Sequence, residues 1–258
     1  MRKVERQMNE LALYLKEAQR ITIADAKSLL NVSESTARRL FGRMESQKLA
    51  IRVHGGLQVW PEMKTEYSYP SMEARRLPQK RRIARAAIEW IGDARTIFLD
   101  SGSTIYQMSL YLAEWLRAGQ RPQVSIFTNS LKNLQALSGL VDIHFIGGKY
   151  RENRQDCCGF LAEEALQKLN FDLCFLGADG CNVEQGVSCS DMETARLGRL
   201  VVMHSQRKVV LIDSTKFYWG ALATYAQLEN LDALITDVDL DSNIAEQMRA
   251  KGIELQMV

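Results

Sequence analysis

The chain has 258 residues, of which 46% are hydrophobic and 25% are charged, and its net charge is +2. This composition is typical of a soluble globular protein and excludes a largely disordered or fibrous chain. No apolar run approaches the roughly 20 residues that a membrane-spanning helix needs, and the charged N-terminus has no signal-peptide core. We therefore expect a cytoplasmic protein that has no membrane partner.

The small net charge hides an uneven distribution along the chain. Residues 1–60 carry 11 Lys and Arg against 6 Asp and Glu, and residues 61–85 carry 7 against 3. The remaining 173 residues carry 15 against 22. A front of +9 on a body of −7 predicts a two-part protein whose basic part binds an anionic partner such as nucleic acid.

The first 60 residues predict three helices and a hairpin. Residues 3–18 repeat apolar side chains at helical spacing, and after the breaker-like stretch QRIT a second helix starts behind Thr22, a suitable N-cap. Asn31 begins a tight connection, and Ser33 can cap a third helix that ends near residue 47. The strand-like stretches IRV and LQVW then flank a His-Gly-Gly turn. This is the order of a winged helix-turn-helix.

The third helix has an apolar face and a basic face, and in helix-turn-helix proteins its N-terminal part faces the base edges of DNA. The apolar positions are Ala37, Leu40, Phe41 and Met44. Arginine can bridge both acceptors of a guanine, while serine and threonine suit phosphates. A basic helix that only faces solvent is the alternative. The residues predicted to contact double-stranded DNA are Ser33, Glu34, Ser35, Thr36, Arg38, Arg39, Arg43, Arg52, His54 and Gly55.

The pattern changes after the hairpin. Residues 61–79 hold three of the four prolines and lack clear periodicity, which predicts a linker. Beyond them, apolar runs of strand length mostly alternate with helical stretches, which predicts an α/β domain with a buried, mostly parallel sheet. The runs are TIFLD (96–100), VSIFT (124–128), DIHFIG (142–147), DLCFLG (172–177), KVVLID (208–213), DALITD (232–237) and IELQM (253–257). The predicted organisation is a winged helix-turn-helix over 1–60, a linker over 61–79 and an α/β domain over 80–258.

Small, hydroxyl, amide and charged residues follow several of these runs, and ligands of open parallel sheets bind outside the carboxyl ends of the strands. The string DSGST (100–104) ends a strand and opens a helix, so its amides, hydroxyls and permissive glycine can form an anion cradle. An ordinary strand-to-helix turn with a capping serine is the alternative. The residues predicted to bind a small-molecule effector are Asp100, Ser101, Gly102, Ser103, Thr104, Thr128, Asn129, Ser130, Gly147, Gly148, Asp179, Gly180 and Lys216.

The five cysteines are expected to be free and mostly buried, because no pair has zinc-ligand spacing and adjacent cysteines do not easily pair with each other. We expect no metal and no cofactor. The cysteines are Cys157, Cys158, Cys174, Cys181 and Cys189.

Together these motifs resemble DeoR-family transcriptional regulators over nearly the whole chain. VSESTARRL resembles the family's VSxxTIRRDL recognition helix and IRVHGG its RxHGG wing, and DSGST, FTNS, FIGG, FLGADG and LIDSTKF match its sensor motifs in order. The resemblance implies a sensor domain with a fold similar to ribose-5-phosphate isomerase, in which the DSGST loop holds the effector phosphate. It also implies a repressor of a sugar-catabolic operon that a phosphorylated sugar releases from its operator, and assembly as a homodimer or homotetramer.

Two departures from known patterns accompany this resemblance. Ala37, Leu40 and Phe41 stand where the family has Ile, Asp and Leu, so the orientation of the helix or its target sequence can differ. An isomerase-like enzyme is the alternative function, since Asp179 and Lys216 fall in GADG and STK, which resemble the isomerase's GADE and SK. GADG lacks the acidic residue that follows GAD in the isomerase, so we expect no enzymatic activity.

Overall fold

The computed structural model describes residues 3–18, 20–47, 49–53, 55–59, 67–119, 123–217 and 220–258. The chain divides into two compact units, residues 1–67 and residues 68–258. Each unit has a hydrophobic core of its own. No helix in the described part of the chain is long and apolar enough to cross a membrane.

The described part of the N-terminal unit contains three helices and a three-stranded antiparallel sheet of order β1-β3-β2. Its elements are α1 (Lys3–Ala18), β1 (Arg20–Thr22), α2 (Ile23–Leu30), α3 (Glu34–Ser46), β2 (Ala50–Val53) and β3 (Gly56–Val59). The predicted winged helix-turn-helix is confirmed. QRIT, however, is not simply a break between helices, because Ile21 lies opposite Leu57 in the sheet and both are buried.

Local hydrogen bonds set the ends of α2 and α3. The Thr22 hydroxyl accepts from the Asp25 amide at 3.1 Å, and the Thr22 amide donates to the Asp25 carboxylate at 3.3 Å. This reciprocal pair satisfies two amides that a helix start leaves without partners. Asn31 ends α2 in the left-handed region with φ 48°, and the Ser33 hydroxyl accepts from the Thr36 amide at 3.3 Å. The predicted caps and tight connection are therefore confirmed.

The apolar face of α3 forms part of the core of this unit, as the helical spacing predicts. Leu40 is 2% exposed, and Phe41 is fully buried. The remaining buried residues of this core are Met8, Leu11, Leu15, Ile21, Ala26, Ala37, Met44, Ala50 and Leu57. The residues at which this chain departs from the DeoR recognition-helix pattern thus lie in the core and away from the solvent-exposed face of the helix.

The C-terminal unit is an α/β domain. Its helices are α4 (Tyr69–Ala74), α5 (Leu77–Ile88), α6 (Ser103–Arg117), α7 (Leu131–Leu137), α8 (Phe160–Leu166), α9 (Met192–Met203) and α10 (Ser242–Ala250). Its strands are β4 (Thr96–Leu99), β5 (Ser125–Thr128), β6 (Asp142–Phe145), β7 (Lys149–Arg151), β8 (Asp156–Cys158), β9 (Phe171–Leu176), β10 (Gly180–Asn182), β11 (Gly186–Cys189), β12 (Ser205–Leu211), β13 (Ala223–Ala226), β14 (Ala233–Thr236) and β15 (Glu254–Met257).

The seven predicted apolar runs supply the seven strands of one parallel sheet, of order β15-β14-β12-β9-β4-β5-β6. The chain runs from β4 outward through β5 to β6, and it then returns to β9 on the other side of β4. The loops that follow β4 and β9 therefore lead away in opposite directions. Such a topological switch point opens a crevice at the carboxyl ends of the two strands, where open α/β sheets bind ligands.

The predicted linker over 61–79 differs from the structure in its second part. Residues 61–66 lie outside the described residues, whereas α4 and α5 already cover most of 69–79 within the C-terminal unit. Pro70 and Pro78 do not interrupt these helices, since each stands in the first helical turn, where a missing N–H removes no intrahelical hydrogen bond. Tyr69 is fully buried, which ties this segment to the domain.

All five cysteines are free and buried, as predicted. Burial raises the pKa of Cys174 and of Cys181 to about 12. These thiols are therefore protonated at neutral pH and behave as small apolar side chains.

Candidate functional site

The exposed face of α3 carries most of the residues predicted to contact DNA. Thr36 is half-buried. The exposed members of the predicted set are Ser33, Glu34, Ser35, Arg38, Arg39, Arg43, Arg52 and Gly55. His54 lies outside the described residues, so its role stays a prediction.

The arginines of this face differ in their partners. Arg38 donates to one carboxylate oxygen of Glu34 from Nε at 2.9 Å and from Nη2 at 2.7 Å. This hydrogen bond and the charge of Arg38 lower the pKa of Glu34. In the part of the chain that the structure describes, Arg39 and Arg43 make no ion pair. Exposed ion pairs contribute little to stability, so Arg38 can exchange Glu34 for a phosphate. Arg39 and Arg43 have no described ion pair to break before they contact one.

The hairpin of β2 and β3 stands next to α3. The Arg52 side chain is exposed, and its backbone amide donates to the Glu45 carboxylate of α3 at 3.3 Å. A Cβ atom on Gly56 would lie 2.2 Å from the carbonyl oxygen of Ile21, so the second glycine of HGG is needed for the close approach of β1. The wing motif therefore combines an exposed cation with a glycine whose role is structural.

The loops after β4 and β9, residues 100–103 and 177–179, meet at the switch point, and we call them the β4–β9 edge. The Gly177 amide donates to the Asp100 carboxylate at 3.0 Å. Helix α6 starts within this edge, and Tyr106 is the first residue whose amide bonds to a helix-start carbonyl, that of Gly102, at 2.9 Å. The amides of residues 103–105 consequently have no acceptor within the helix, and they can bind an anion.

The glycine of the DSGST loop is not required by its backbone, contrary to the predicted need for a permissive residue. Gly102 has φ −63° and ψ 147°, which any residue adopts. A Cβ atom there would lie 3.6 Å from the Gly177 Cα, an ordinary contact. The predicted role of the loop as an anion cradle therefore depends on the helix amides and not on the flexibility of the glycine.

Asp100 is a carboxylate at this edge, and two other carboxylates act on it. Burial raises the pKa of Asp100 to about 6, and the charges of Asp156 and Asp179 act in the same direction, while amide hydrogen bonds from Gly177 and Ser101 oppose them. Asp100 therefore carries a proton for part of the time near neutral pH. A group of this kind can accept or donate a hydrogen bond to a ligand hydroxyl.

Lys216 lies in the 3-10 turn Ser214–Lys216 after β12, next to β9 in the sheet. Burial alone would raise the pKa of Asp179, but the charges of Lys216 and Arg154 and the hydrogen bonds from Ser190 outweigh it and lower the pKa. Lys216 also lowers the pKa of Asp213 against the effect of burial. The half-buried ammonium makes no hydrogen bond or ion pair shorter than 4 Å to any residue that the structure describes, so it faces two carboxylates but stays available to a ligand.

The predicted FTNS residues are buried and already engaged. The Thr128 hydroxyl donates to the Leu99 carbonyl at 2.6 Å, and Ser130 accepts from the Asn133 amide at 3.3 Å. Asn129 donates to the Cys157 carbonyl at 3.0 Å. These side chains hold neighbouring loops together and shape the edge.

The remaining predicted residues are spread more widely. Ser101 and Thr104 are buried, and Ser103 is half-buried at the start of α6. Gly147 and Gly148 are exposed after β6, two strands away from β4, so the structure does not bring them to the β4–β9 edge. A Cβ atom on Gly148 would lie 2.5 Å from the Cys158 carbonyl oxygen, which explains that glycine by its packing on β8. Gly180 is buried in β10, opposite Ser188.

A network of charged side chains behind the edge was not predicted from the sequence. Arg151 donates to both carboxylate oxygens of Asp156 at 2.8 and 2.7 Å and to Asp191 at 2.9 Å. Arg154 lies 3.0 Å from the second oxygen of Asp191, and the Ser101 hydroxyl donates to Asp156 at 2.9 Å. The network joins the loop after β4 to the β7–β8 hairpin and the start of α9. Its only sequence signal is the charged stretch RENRQD, which shows no strand alternation.

Two protein-family models match this chain, one within each of its two units. A model of the DeoR-like helix-turn-helix domain matches residues 7–62, and a model of the DeoR C-terminal sensor domain matches residues 75–238. The chain belongs to the DeoR family of transcriptional regulators. The sensor match spans the β4–β9 edge, and the helix-turn-helix match spans α3 and the wing.

Individual DeoR-family relatives match over most of their length. A putative aga operon transcriptional repressor of Escherichia coli O157:H7 is 30% identical over 249 residues, which are 95% of this chain and 90% of the relative. A lactose phosphotransferase system repressor of Staphylococcus epidermidis is 28% identical over 214 residues, 81% of this chain and 82% of the relative. The transcriptional repressor GlcR of Bacillus subtilis is 26% identical over 244 residues, 94% and 92% of the two chains.

Solved structures of ribose 5-phosphate isomerase are similar to part of this DeoR-family chain. The enzyme of Plasmodium falciparum has a TM-score of 0.40 and 17% identity, over 54% of this chain and 52% of the enzyme. The enzyme of Methanocaldococcus jannaschii has a TM-score of 0.39 and 19% identity, over 54% and 53%. A likeness of this extent has no bearing on activity.

Proposed function

We propose that this DeoR-family protein is a DNA-binding repressor of a carbohydrate operon, and that a phosphorylated sugar or a related metabolite releases it from its operator. The observation that carries the proposal is the half-buried Lys216, which has no ion pair among the described residues and whose charge acts on Asp179 of the β4–β9 edge, where the start of α6 leaves its first amides open. The same chain presents a basic recognition helix. One chain thus holds a candidate site for a small anion and a candidate surface for a large one.

The DNA-binding part of the proposal rests on the exposed face of α3. Arg38 and Arg39 are suited to guanine edges, and Arg52 and the backbone of Gly55 to phosphates. The partner is double-stranded DNA, because a recognition helix fits the major groove of a duplex. Helix-turn-helix dimers bind two half-sites about one helical turn apart, so we propose a homodimer or homotetramer.

The effector part rests on complementary chemistry at the β4–β9 edge. The amides of residues 103–105 and the Lys216 ammonium suit the oxygens of a phosphate. Asp100 and Asp179 suit the hydroxyl donors of a sugar. An apolar ligand would leave these groups without partners, which costs free energy in a partly buried site. The site therefore favours a polyhydroxylated anion.

We propose binding rather than catalysis at this edge. Asp179 accepts hydrogen bonds from the Ser190 amide at 2.8 Å and hydroxyl at 2.7 Å, and these contacts together with Lys216 favour its ionised form. A general base is most effective when its pKa lies near the working pH, which a lowered carboxylate pKa does not offer. An assay of ribose 5-phosphate isomerisation with the full chain tests this, and turnover that is lost in Asp179→Asn would contradict it.

The experiment for the whole proposal has two stages. Selection from a randomised duplex library identifies the operator, and a thermal-shift screen compares phosphorylated sugars with their unphosphorylated forms and with inorganic phosphate. We expect at least one phosphorylated sugar to raise the melting temperature and to lower the affinity for the selected duplex, measured by fluorescence anisotropy. Lys216→Met should lose both effects and keep operator affinity. A protein that selects no sequence, or whose DNA affinity no phosphorylated sugar changes, would refute the proposal.

A further inference from the structure

One backbone carbonyl of helix α4 accepts from two side chains, one at the start of α6 and one in α5. The carbonyl oxygen of Met72 accepts a hydrogen bond from the Lys80 ammonium, and the Ser103 hydroxyl lies 3.5 Å from the same oxygen. Ser103 is the first residue of α6, whose amides face the candidate anion site. The two donors share one acceptor, so they lie no farther apart than two hydrogen-bond lengths, and one phosphate group can contact both.

Lys80 is a buried cation next to the Met72 carbonyl, and it belongs to neither the DSGST motif nor the STK motif. The residue is 4% exposed, and burial lowers its pKa to about 8. The charge of Asp213 opposes this effect, and the charge of Lys216 adds to it. Lys80 therefore lies within electrostatic reach of the same turn that carries Lys216, and its ammonium is held there by a neutral carbonyl.

The rest of the α4 segment is attached at its two ends. The Tyr69 amide donates to the Asn153 carbonyl at 2.9 Å, and the Tyr69 ring meets the Tyr106 ring edge to face with centroids 6.5 Å apart. Arg76 donates to the Ser214 hydroxyl at 3.1 Å and also pairs with Asp237 at 3.1 Å. Between these attachments, Lys80 and Ser103 both donate to the Met72 carbonyl of α4.

We propose that Lys80 is a second cation for the anionic group of the effector, and that its transfer from the Met72 carbonyl to this group releases α4. The inference rests on the proposed effector site. A phosphate oxygen is a stronger acceptor for an ammonium than a neutral carbonyl, because the hydrogen bond is charge-assisted. The Ser103 hydroxyl turns to the phosphate as well, so the Met72 carbonyl loses both donors. A carbonyl without a donor favours a conformation in which water reaches it, which loosens α4.

Helix α4 is the first helix of the sensor unit, so its release affects the segment that follows the DNA-binding unit in the chain. The segment begins at Tyr69, immediately after the boundary of the DNA-binding unit at residue 67. Anion binding at α6 is thereby linked to the first helix of the sensor unit. We infer that this link is the part within the sensor unit of the coupling that effector-dependent release of DNA requires.

Hydrogen–deuterium exchange of the full chain with inorganic phosphate tests this inference. In the wild-type protein, phosphate should slow exchange of the amides at 103–105 and accelerate exchange over 69–74. Lys80→Met should bind phosphate roughly tenfold more weakly, since one charge-assisted hydrogen bond is lost. Its α4 should exchange rapidly without phosphate and show no further change. Lys80→Arg, which keeps the charge, should restore most of the response.

Lys132→Met is the matched control, because this lysine also lies near α4, 5.9 Å from the Tyr69 ring centre, but does not donate to Met72. It should respond to phosphate as the wild type does. Protection at 103–105 with unchanged exchange in α4 would overturn the release of α4 and leave the effector site standing. If Lys132→Met and Lys80→Met lost phosphate affinity and the response of α4 equally, the specific role of Lys80 would be overturned. Absence of protection at 103–105 in the wild type would overturn the proposed site and this inference together.

Discussion

The Arg38 guanidinium donates two hydrogen bonds to a single carboxylate oxygen of Glu34, one helical turn before it, with Nη2 at 2.7 Å. Arg39, the next residue, is exposed and has no ion pair within the described ranges. Adjacent arginines of one recognition helix are thus electrostatically unequal. Arg38 must leave a carboxylate to contact DNA, whereas Arg39 need not.

We therefore expect Arg39→Ala to weaken operator binding more than Arg38→Ala does. A bidentate contact to a guanine is worth about 1–3 kcal/mol, and only Arg39 makes it without breaking an existing pair. The double variant should lose sequence-selective binding. Fluorescence anisotropy with the selected duplex at one fixed salt concentration measures all three. Arg117→Ala, which removes an exposed arginine of the sensor unit, is the control, and an unchanged affinity of Arg39→Ala would exclude this residue from the interface.

Leu40→Ala should destabilise the DNA-binding unit by about 2–5 kcal/mol, because it leaves a cavity in the core around α3. Leu40 is 2% exposed, and its replacement removes no charge from the DNA-facing surface. Hydrogen exchange of the α3 amides in the full chain reports the free energy of opening. Leu13→Ala, at a leucine that is 66% exposed, should change stability by less than about 0.5 kcal/mol. Equal effects of the two substitutions would mean that Leu40 is not a core residue in solution.

Asp100→Asn should increase the stability of the sensor unit at neutral pH. Burial raises the pKa of Asp100 to about 6 from 3.8, so between these values the folded state binds more protons than the unfolded state. The free energy of unfolding therefore falls as the pH rises through this window, by up to about 3 kcal/mol. Asparagine does not ionise, so the variant does not lose this stability. The two proteins should have similar free energies of unfolding at pH 3.5, and the variant should become increasingly more stable than the wild type up to pH 7.

Urea unfolding at several pH values measures this difference. Asp93→Asn is the matched control, because the Asp93 side chain is fully exposed. The control should follow the pH dependence of the wild type. If the wild type had a higher free energy of unfolding than Asp100→Asn at pH 7, the ionised carboxylate would stabilise the folded state, contrary to this prediction.

Asp156→Asn should lower the free energy of unfolding of the sensor unit by about 3–5 kcal/mol, because it removes a negative charge that pairs with the largely buried Arg151. Both side chains are largely inaccessible, at 10% exposure for Arg151 and 0% for Asp156. Thermal unfolding of the sensor unit measures the loss. The pair of Glu184 with Lys251 provides the contrast, because the Glu184 side chain is 79% exposed, and Glu184→Gln should change stability by less than about 1 kcal/mol. Comparable losses would mean that the Arg151 network is not a structural support of the site.

Local sequence patterns predicted more of the fold than of the site. Continuous apolar runs predicted all seven strands of the parallel sheet, because strands buried on both faces need apolar residues at consecutive positions. Thr22 and Ser33 predicted helix starts, because a cap needs only partners within three residues. The hairpin β7–β8 and the sheet of β10, β11 and β13 were not predicted, since their sequences form no continuous apolar run and lack a clear period.

The sequence by itself determined the winged helix, the parallel sheet and the strand-end motifs, since each depends on neighbours a few residues away. Only the tertiary structure decided which of these residues meet. It joined the loops after β4 and β9, left Lys216 unpaired among the described residues, engaged Thr128 and Ser130 in holding loops and buried Lys80 beneath α4. Such contacts join residues that are far apart in the chain, and strand order and packing bring them together.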